Sequence, residues 1–339
     1  MGSITIREWG SIGTEKVLRI TLMQPNGMSV SCSNYGARLI CLLVPDREGQ
    51  SENVVLGLAD AEAYGNDRAS FGATVGPVAG RIAGGRWGAV QLERNAGENH
   101  IHGGSRGWGQ QFWDFTTKET AEAITVTFSL ESTPEKVGYP GQLQAKVSYS
   151  LDAEGCLTIK MEGISRDTEE TLFNPTSHIY FNLSGDAKRP ITDHTLRMAC
   201  EEVLDLDADK LPVGTKQAVE GTAFDFRKAT FIGDAIRKRP EGFDDVFLMQ
   251  SDRQPQLILH DEESGRQLEL SSNRSSIVLF STTDMNEPYF VNGRPMRSQL
   301  GLAIEAQEVP DAIHHPDWDN IVLAPNTLAA RVQNYTFKW

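Results

Sequence analysis

Leu143-Gln-Ala-Lys-Val-Ser-Tyr-Ser-Leu151, Asp152-Ala-Glu-Gly155 and Cys156-Leu-Thr-Ile-Lys-Met-Glu162 follow one another without interruption, and the first and third pieces alternate apolar with polar residues. Such alternation sends successive side chains to opposite faces of a strand, and the short acidic, glycine-ended link makes the pair a hairpin with one buried face. The same texture appears upstream in Ile124 to Leu130. It returns downstream in Gln256 to His260, Gln267 to Leu270 and Ser276 to Ser281, with Gly- and Asn-containing turns between.

Near the start, Asn26-Gly27 lies between Leu18 to Leu22 and Met28 to Cys32, the signal of a two-residue hairpin turn, and a strand from Arg38 to Val44 follows. Only short pieces such as Asp60 to Tyr64 read as helical. Runs of strands without alternating long helices exclude a βαβ architecture and predict an all-β, large antiparallel β-sandwich with few short helices. No linker, repeat or low-complexity tract divides the chain, so one domain over residues 1–339 is expected.

Forty-six acidic against 32 basic residues give a net charge of −14, a field that repels nucleic acid and anionic membrane surfaces. No apolar run is long enough to span a bilayer, and the N-terminus lacks a signal-peptide core, which predicts a cytoplasmic protein. Cys32, Cys41, Cys156 and Cys200 show no CxxC spacing and read as free, mostly buried thiols.

Chemistry is sought first in Asn174-Pro-Thr-Ser-His-Ile-Tyr-Phe-Asn-Leu-Ser-Gly185, where His178 sits in a strand-like run and titrates near neutrality. Phe71 to Gly109 is a glycine-dense, turn-rich stretch carrying Arg81, Arg86, His100 and His102. His100 and His102, if on one strand face, suggest a metal; no supporting Cys, Asp or Glu lies nearby, and loop hydrogen bonding or direct ligand binding are the other readings. Glu305 interrupts the apolar run Gly301 to Gln307: it is either a partly desolvated general base or an edge glutamate facing water. Asp244, Asp245 and Arg81 taken singly read as solvated loop charges.

Taken together and in order, these pieces resemble the aldose 1-epimerase (galactose mutarotase) family. The resemblance rests on Asn34-Tyr-Gly-Ala37, Gly72-Ala-Thr-Val-Gly76 running into Gly80-Arg-Ile82, and Asn99-His-Ile-His-Gly-Gly104 with Gly107-Trp108 and Trp113. It continues in Thr176-Ser-His-Ile-Tyr-Phe-Asn-Leu183, Gly242-Phe-Asp244 and Ile304-Glu-Ala-Gln307 with Pro310-Asp-Ala312. It implies a large antiparallel sandwich with an open cleft, Glu305 as general base and His178 as general acid. Arg81, His102, Asp244 and Tyr180 would hold the sugar, and no metal or organic cofactor would be needed. The implied partner is a small neutral sugar, with the protein a monomer or homodimer.

Departures from the family pattern bear on sugar preference. Gly76-Pro-Val-Ala-Gly-Arg81 replaces Gly-Arg-x-x-Asn-Arg, Asp245 stands where a histidine often follows the binding aspartate, and Leu279 falls where some members place a substrate-binding glutamine. Trp108, Trp113, Tyr180 and Phe280 are candidate stacking surfaces, with core packing favoured for Trp113 and Phe280. The competing readings are a non-catalytic carbohydrate-binding protein of the same fold, a sugar-phosphate or disaccharide epimerase, and a glycosidase. The glycosidase would ordinarily need two carboxylates.

Overall fold

In the computed structural model, which describes residues 2–166, 168–250, 252–286 and 288–339, three antiparallel sheets carry most of the chain. Leu143–Asp152 pairs with Cys156–Ser165 from Leu143↔Ser165 to Leu151↔Leu157. Asp152 closes their turn, its Oδ1 accepting from the backbone N–H of Glu154 and of Cys156. These strands belong to a nine-stranded sheet in the order Asp114–Glu119, Ala123–Ser132, Leu143–Asp152, Cys156–Ser165, Leu328–Lys338, Gln267–Ser272, Leu257–His260, Thr195–Met198, Thr230–Phe231.

A six-stranded sheet runs Tyr180–Phe181, Leu302–Gln307, Ser276–Ser281, Asp244–Met249, Cys200–Leu206, Pro212–Ala218. A five-stranded sheet holds Ser3–Ile12, Glu15–Met23, Ser29–Ser33, Arg38–Pro45 and Ser51–Asn53 in chain order. Among the described residues the α-helices are short: Ala61–Gly65, Pro134–Val137 and Ile232–Lys238. This is the all-β antiparallel sandwich expected from the alternation. No helix of the described residues is long and apolar enough to cross a membrane.

The three sheets share one apolar core. Val30 and Leu42 enter it from the five-stranded sheet, Val147, Ile159 and Tyr335 from the nine-stranded one, and Phe247, Ile277, Leu279 and Ile304 from the six-stranded one. Each large apolar side chain buried there contributes about 1.5–3 kcal/mol relative to exposure. The four cysteines are free, with Cys32 and Cys200 buried and the other two half-buried.

Two local expectations are corrected. The hairpin at Asn26-Gly27 turns through three residues, Pro25 to Gly27, because the Gln24 N–H donates to the Met28 carbonyl at 2.9 Å and Gly27 takes a φ of +94°. The run around His178 is not one strand. Thr176–Ser177 pairs with Thr74–Val75, whereas Tyr180–Phe181 pairs with Leu302–Gln307, so His178 sits where the chain passes from one partner to the next.

A buried ion pair anchors the loop above the six-stranded sheet. Arg38 Nη1 lies 2.6 Å from Asp67 Oδ2, both side chains almost wholly enclosed, and Arg38 also donates to the carbonyls of Phe71 and Gly109. Asp67 accepts in addition from the N–H groups of Ala69 and Phe71, which fixes the course of residues 67–71.

Candidate active site

Strand alternation in the six-stranded sheet sends Ile304 and Leu279 into the core and leaves Glu305, Val278, Phe280 and Asp244 on the opposite face. There Glu305 stands directly across from Val278, and Asp244 across from Phe280. A cavity of ≈ 360 Å³ opens over this face, near the lower end of the range for small-molecule sites, about 300–1,000 Å³. Arg81, His102, His178, Tyr180, Asp244 and Glu305, scattered over 225 positions of sequence (305 − 81 + 1), all line it.

His178 is held by its backbone, which donates to the Ala73 carbonyl at 2.9 Å and accepts from the Gly72 N–H at 2.8 Å. Its ring lies 4.9 Å from that of Tyr180 and edge-on to that of His102 at 5.5 Å. His178 Nε2 is 3.4 Å from Glu305 Oε1, with the residues only 6% and 3% exposed. His178 Nδ1 and Glu305 Oε2 are buried without a hydrogen-bond partner among the described residues. Burial pulls the imidazole down to about 4. It pushes the Glu305 carboxyl up to about 8, with Asp244 adding to the rise and Arg81 opposing it. Glu305 is therefore a desolvated carboxyl, not an edge glutamate facing water.

His102 takes a φ of +54° and accepts from the Gly80 N–H at Nδ1, 3.2 Å away. Burial, then His178 and Arg81, keep it neutral, so its proton is on Nε2 and it acts as a donor. His102, His178 and Glu305 bring potential ligand atoms within 4.8 Å of one another. One nitrogen of His102 is engaged by Gly80 and the other is protonated, so this set offers a metal two ligands, not three. His100 does not share the cavity face. It is buried between the Glu93 carbonyl and the Tyr139 hydroxyl, each 2.7 Å away, and packs in the interior.

Arg81 is half-buried and, among the described residues, forms no ion pair, leaving its guanidinium available to the cavity. Tyr180 presents its ring, its hydroxyl being spent on the Ala69 carbonyl at 2.8 Å. Phe280 lines the cavity, contrary to its expected place in the core, while Trp113 packs inside as expected. Trp108 is fully buried as well, its Nε1 donating to Ser132 Oγ, and a Cβ at Gly76 would lie 2.1 Å from its ring.

Two of the sequence departures have no direct contact with the cavity. Leu279 is a core residue, and the side chains that flank it on the open face are Val278 and Phe280. Asp245 is not in the cavity lining; its Oδ2 accepts from the Asp244 N–H at 2.9 Å and its Oδ1 from Arg239 at 3.2 Å. Sequence reading missed Arg68, Lys210, Met285 and Gln307, which also line the cavity. Gln307 carried a usable signal, lying two residues after Glu305 on one strand. Arg68 and Lys210 carried none, because tertiary contacts set the positions of their loops.

A sandwich whose open face buries an imidazole beside a carboxylate has the layout of an enzyme that moves protons on a small polar molecule. The family model described as aldose 1-epimerase matches residues 18–336, and the chain belongs to that family, one of isomerases. It is 34% identical to an aldose 1-epimerase of Streptococcus thermophilus over 93% of this chain and 92% of that one. It is 29% identical to a maltose epimerase of Levilactobacillus brevis over 98% of both. The crystal structure of galactose 1-epimerase from Lactobacillus acidophilus NCFM superposes with a TM-score of 0.87 at 31% identity, covering 99% of this chain and 98% of that one.

Proposed function

We propose that this chain interconverts the α and β anomers of a free aldose of the glucose or galactose type, with Glu305 as general base and His178 as general acid. The observation that carries the reading is the buried approach of His178 Nε2 to Glu305 Oε1 within a cavity of monosaccharide scale. The Glu305 carboxylate takes the proton of the anomeric hydroxyl. The bond from the anomeric carbon to the ring oxygen breaks, its electron pair goes to that oxygen, and the oxygen takes a proton from His178 Nε2.

The open aldehyde rotates about its first carbon–carbon bond. His178 then withdraws the proton from the chain hydroxyl, the oxygen attacks the other carbonyl face, and Glu305 returns its proton to the new anomeric hydroxyl. Arg81, His102 Nε2–H and Asp244 hydrogen-bond the remaining hydroxyls, and the rings of Tyr180 and Phe280 face the apolar side of the sugar. A second reading, the reducing end of a disaccharide, draws on the maltose epimerase relative and on the exposed Arg68 and half-buried Met285 and Lys210 in the cavity lining.

Polarimetry on freshly dissolved α-glucose, α-galactose and maltose tests both readings. Acceleration over the buffer rate is expected for a hexose, and its absence with every sugar would overturn the proposal.

A further inference from the structure

Gln307 follows Glu305 by two residues in Leu302–Gln307, so both side chains leave the sheet on the cavity face. The residue is 1% exposed, and its amide Oε1 is buried without a hydrogen-bond partner among the described residues. Its backbone is fixed by the pairing with Ser276, whose Oγ donates to the Gln307 carbonyl at 2.8 Å. A buried amide oxygen left unpaired costs free energy that a hydroxyl brought into the cavity would recover.

The surrounding lining sharpens the point. Val246 and Val278, one step along the sheet, are apolar, and so is Pro310. Residue 80 cannot supply an amide: Gly80 has a φ of +73°, and a Cβ there would stand 2.8 Å from Pro310 Cβ. Glu305 and His178 are committed to proton transfer under the reading above.

We propose that Gln307 is a substrate-binding residue whose amide oxygen accepts a hydrogen bond from one sugar hydroxyl, so that it selects for that hydroxyl. This rests on the cavity being a sugar site. Gln307 has no part in moving protons, so its removal weakens binding and leaves the chemical step alone.

The test measures sugar affinity by calorimetry and turnover by polarimetry for the parent protein and Gln307→Leu, with glucose and its 2-, 3-, 4- and 6-deoxy analogues. Gln307→Met serves if the leucine variant does not fold. The expected result is a roughly 2- to 13-fold weaker glucose affinity, the worth of one neutral hydrogen bond, with kcat within about threefold. One deoxy analogue should bind parent and variant equally. An unchanged glucose affinity, or the same loss with every analogue, overturns the inference. A parent protein that binds these sugars without turning them over sinks the catalytic reading while the affinity comparison still decides the role of Gln307. A parent that binds none of them overturns both.

Discussion

His178 Nε2 and Glu305 Oε1 face each other at 3.4 Å in a space where neither group is well solvated. Burial disfavours both charges, lowering the imidazole to about 4 and raising the carboxyl to about 8, so through the neutral range the pair holds one proton. Those directions favour the proton on Glu305, so under the proposed reaction opening proceeds from the minor form, carboxylate plus imidazolium, to carboxyl plus imidazole, and closure reverses the change. The same desolvation makes the carboxylate a stronger base and the imidazolium a stronger acid than either is in water.

A bell-shaped dependence of kcat/KM on pH is expected. Activity should hold between about 4 and about 8, fall on the acid side as the pair gains a second proton, and fall on the basic side as it loses its only one. Polarimetric rates across that span are the check, and a profile still climbing well above the upper limb contradicts the shared proton.

Glu305→Gln and His178→Asn should each lower kcat by roughly 10²- to 10⁴-fold with a modest change in KM. Near-parent kcat in either folded variant would sink the assignment.

The same glutamate should be a burden on stability. Its folded pKa, about 8, exceeds the ordinary 4.5, so the folded state binds the proton more tightly. Stability from this group is fully present below 4.5 and is lost as pH rises through about 8. Glu305→Gln lacks that loss. Its thermal midpoint relative to the parent should rise between pH 5 and pH 8, by the equivalent of about 2–4 kcal/mol. A pH-independent difference would contradict it.

Arg81→Ala and Asp244→Asn should both raise KM, each removing a charge-assisted hydrogen bond to the sugar worth about 1–3 kcal/mol. They should move the basic limb of the pH profile in opposite directions. Arg81 lowers the proton affinity of Glu305 and Asp244 raises it, so the limb shifts upward in Arg81→Ala and downward in Asp244→Asn. Shifts of one sign in both would contradict the placement of these charges.

Asp67→Ala leaves Arg38 buried without its partner and frees the N–H groups of Ala69 and Phe71. A loss of about 3–5 kcal/mol in urea unfolding is expected. KM should rise as well, because the loop it fixes supplies Arg68, Ala69 and Ser70 to the cavity wall. Stability and KM unchanged together would show that this pair does not support the site.

Strands buried on one face were legible because their side-chain period is visible in the residues: Leu143–Asp152 and Cys156–Ser165 appear in the structure as the alternation reads. Leu328–Lys338 escaped notice although it lies within the nine-stranded sheet. Its core-facing positions include Gln333, whose buried amide is satisfied by the Ala306 carbonyl and whose Oε1 accepts from Tyr335 Oη. A polar residue satisfied from its own strand and from a strand of another sheet breaks the apolar pattern without breaking the strand. Phe280 and Leu279 show the complementary limit: adjacent in one apolar run, they point to cavity and core, and only pairing with Asp244–Met249 and Leu302–Gln307 decides which goes where.

By itself the sequence determined the antiparallel sandwich and the family, and it singled out Arg81, His102, His178, Tyr180, Asp244 and Glu305 of the cavity lining, because strand periodicity and ordered motifs are local properties of the chain. Tertiary structure alone decided that His178 comes within 3.4 Å of Glu305 and that His100 serves the interior while His102 serves the cavity. It also decided that Gln307 keeps an unpaired oxygen. Distance, desolvation and tautomer arise from what other strands and loops place around a group, and none of these is written in that group's own neighbourhood of sequence.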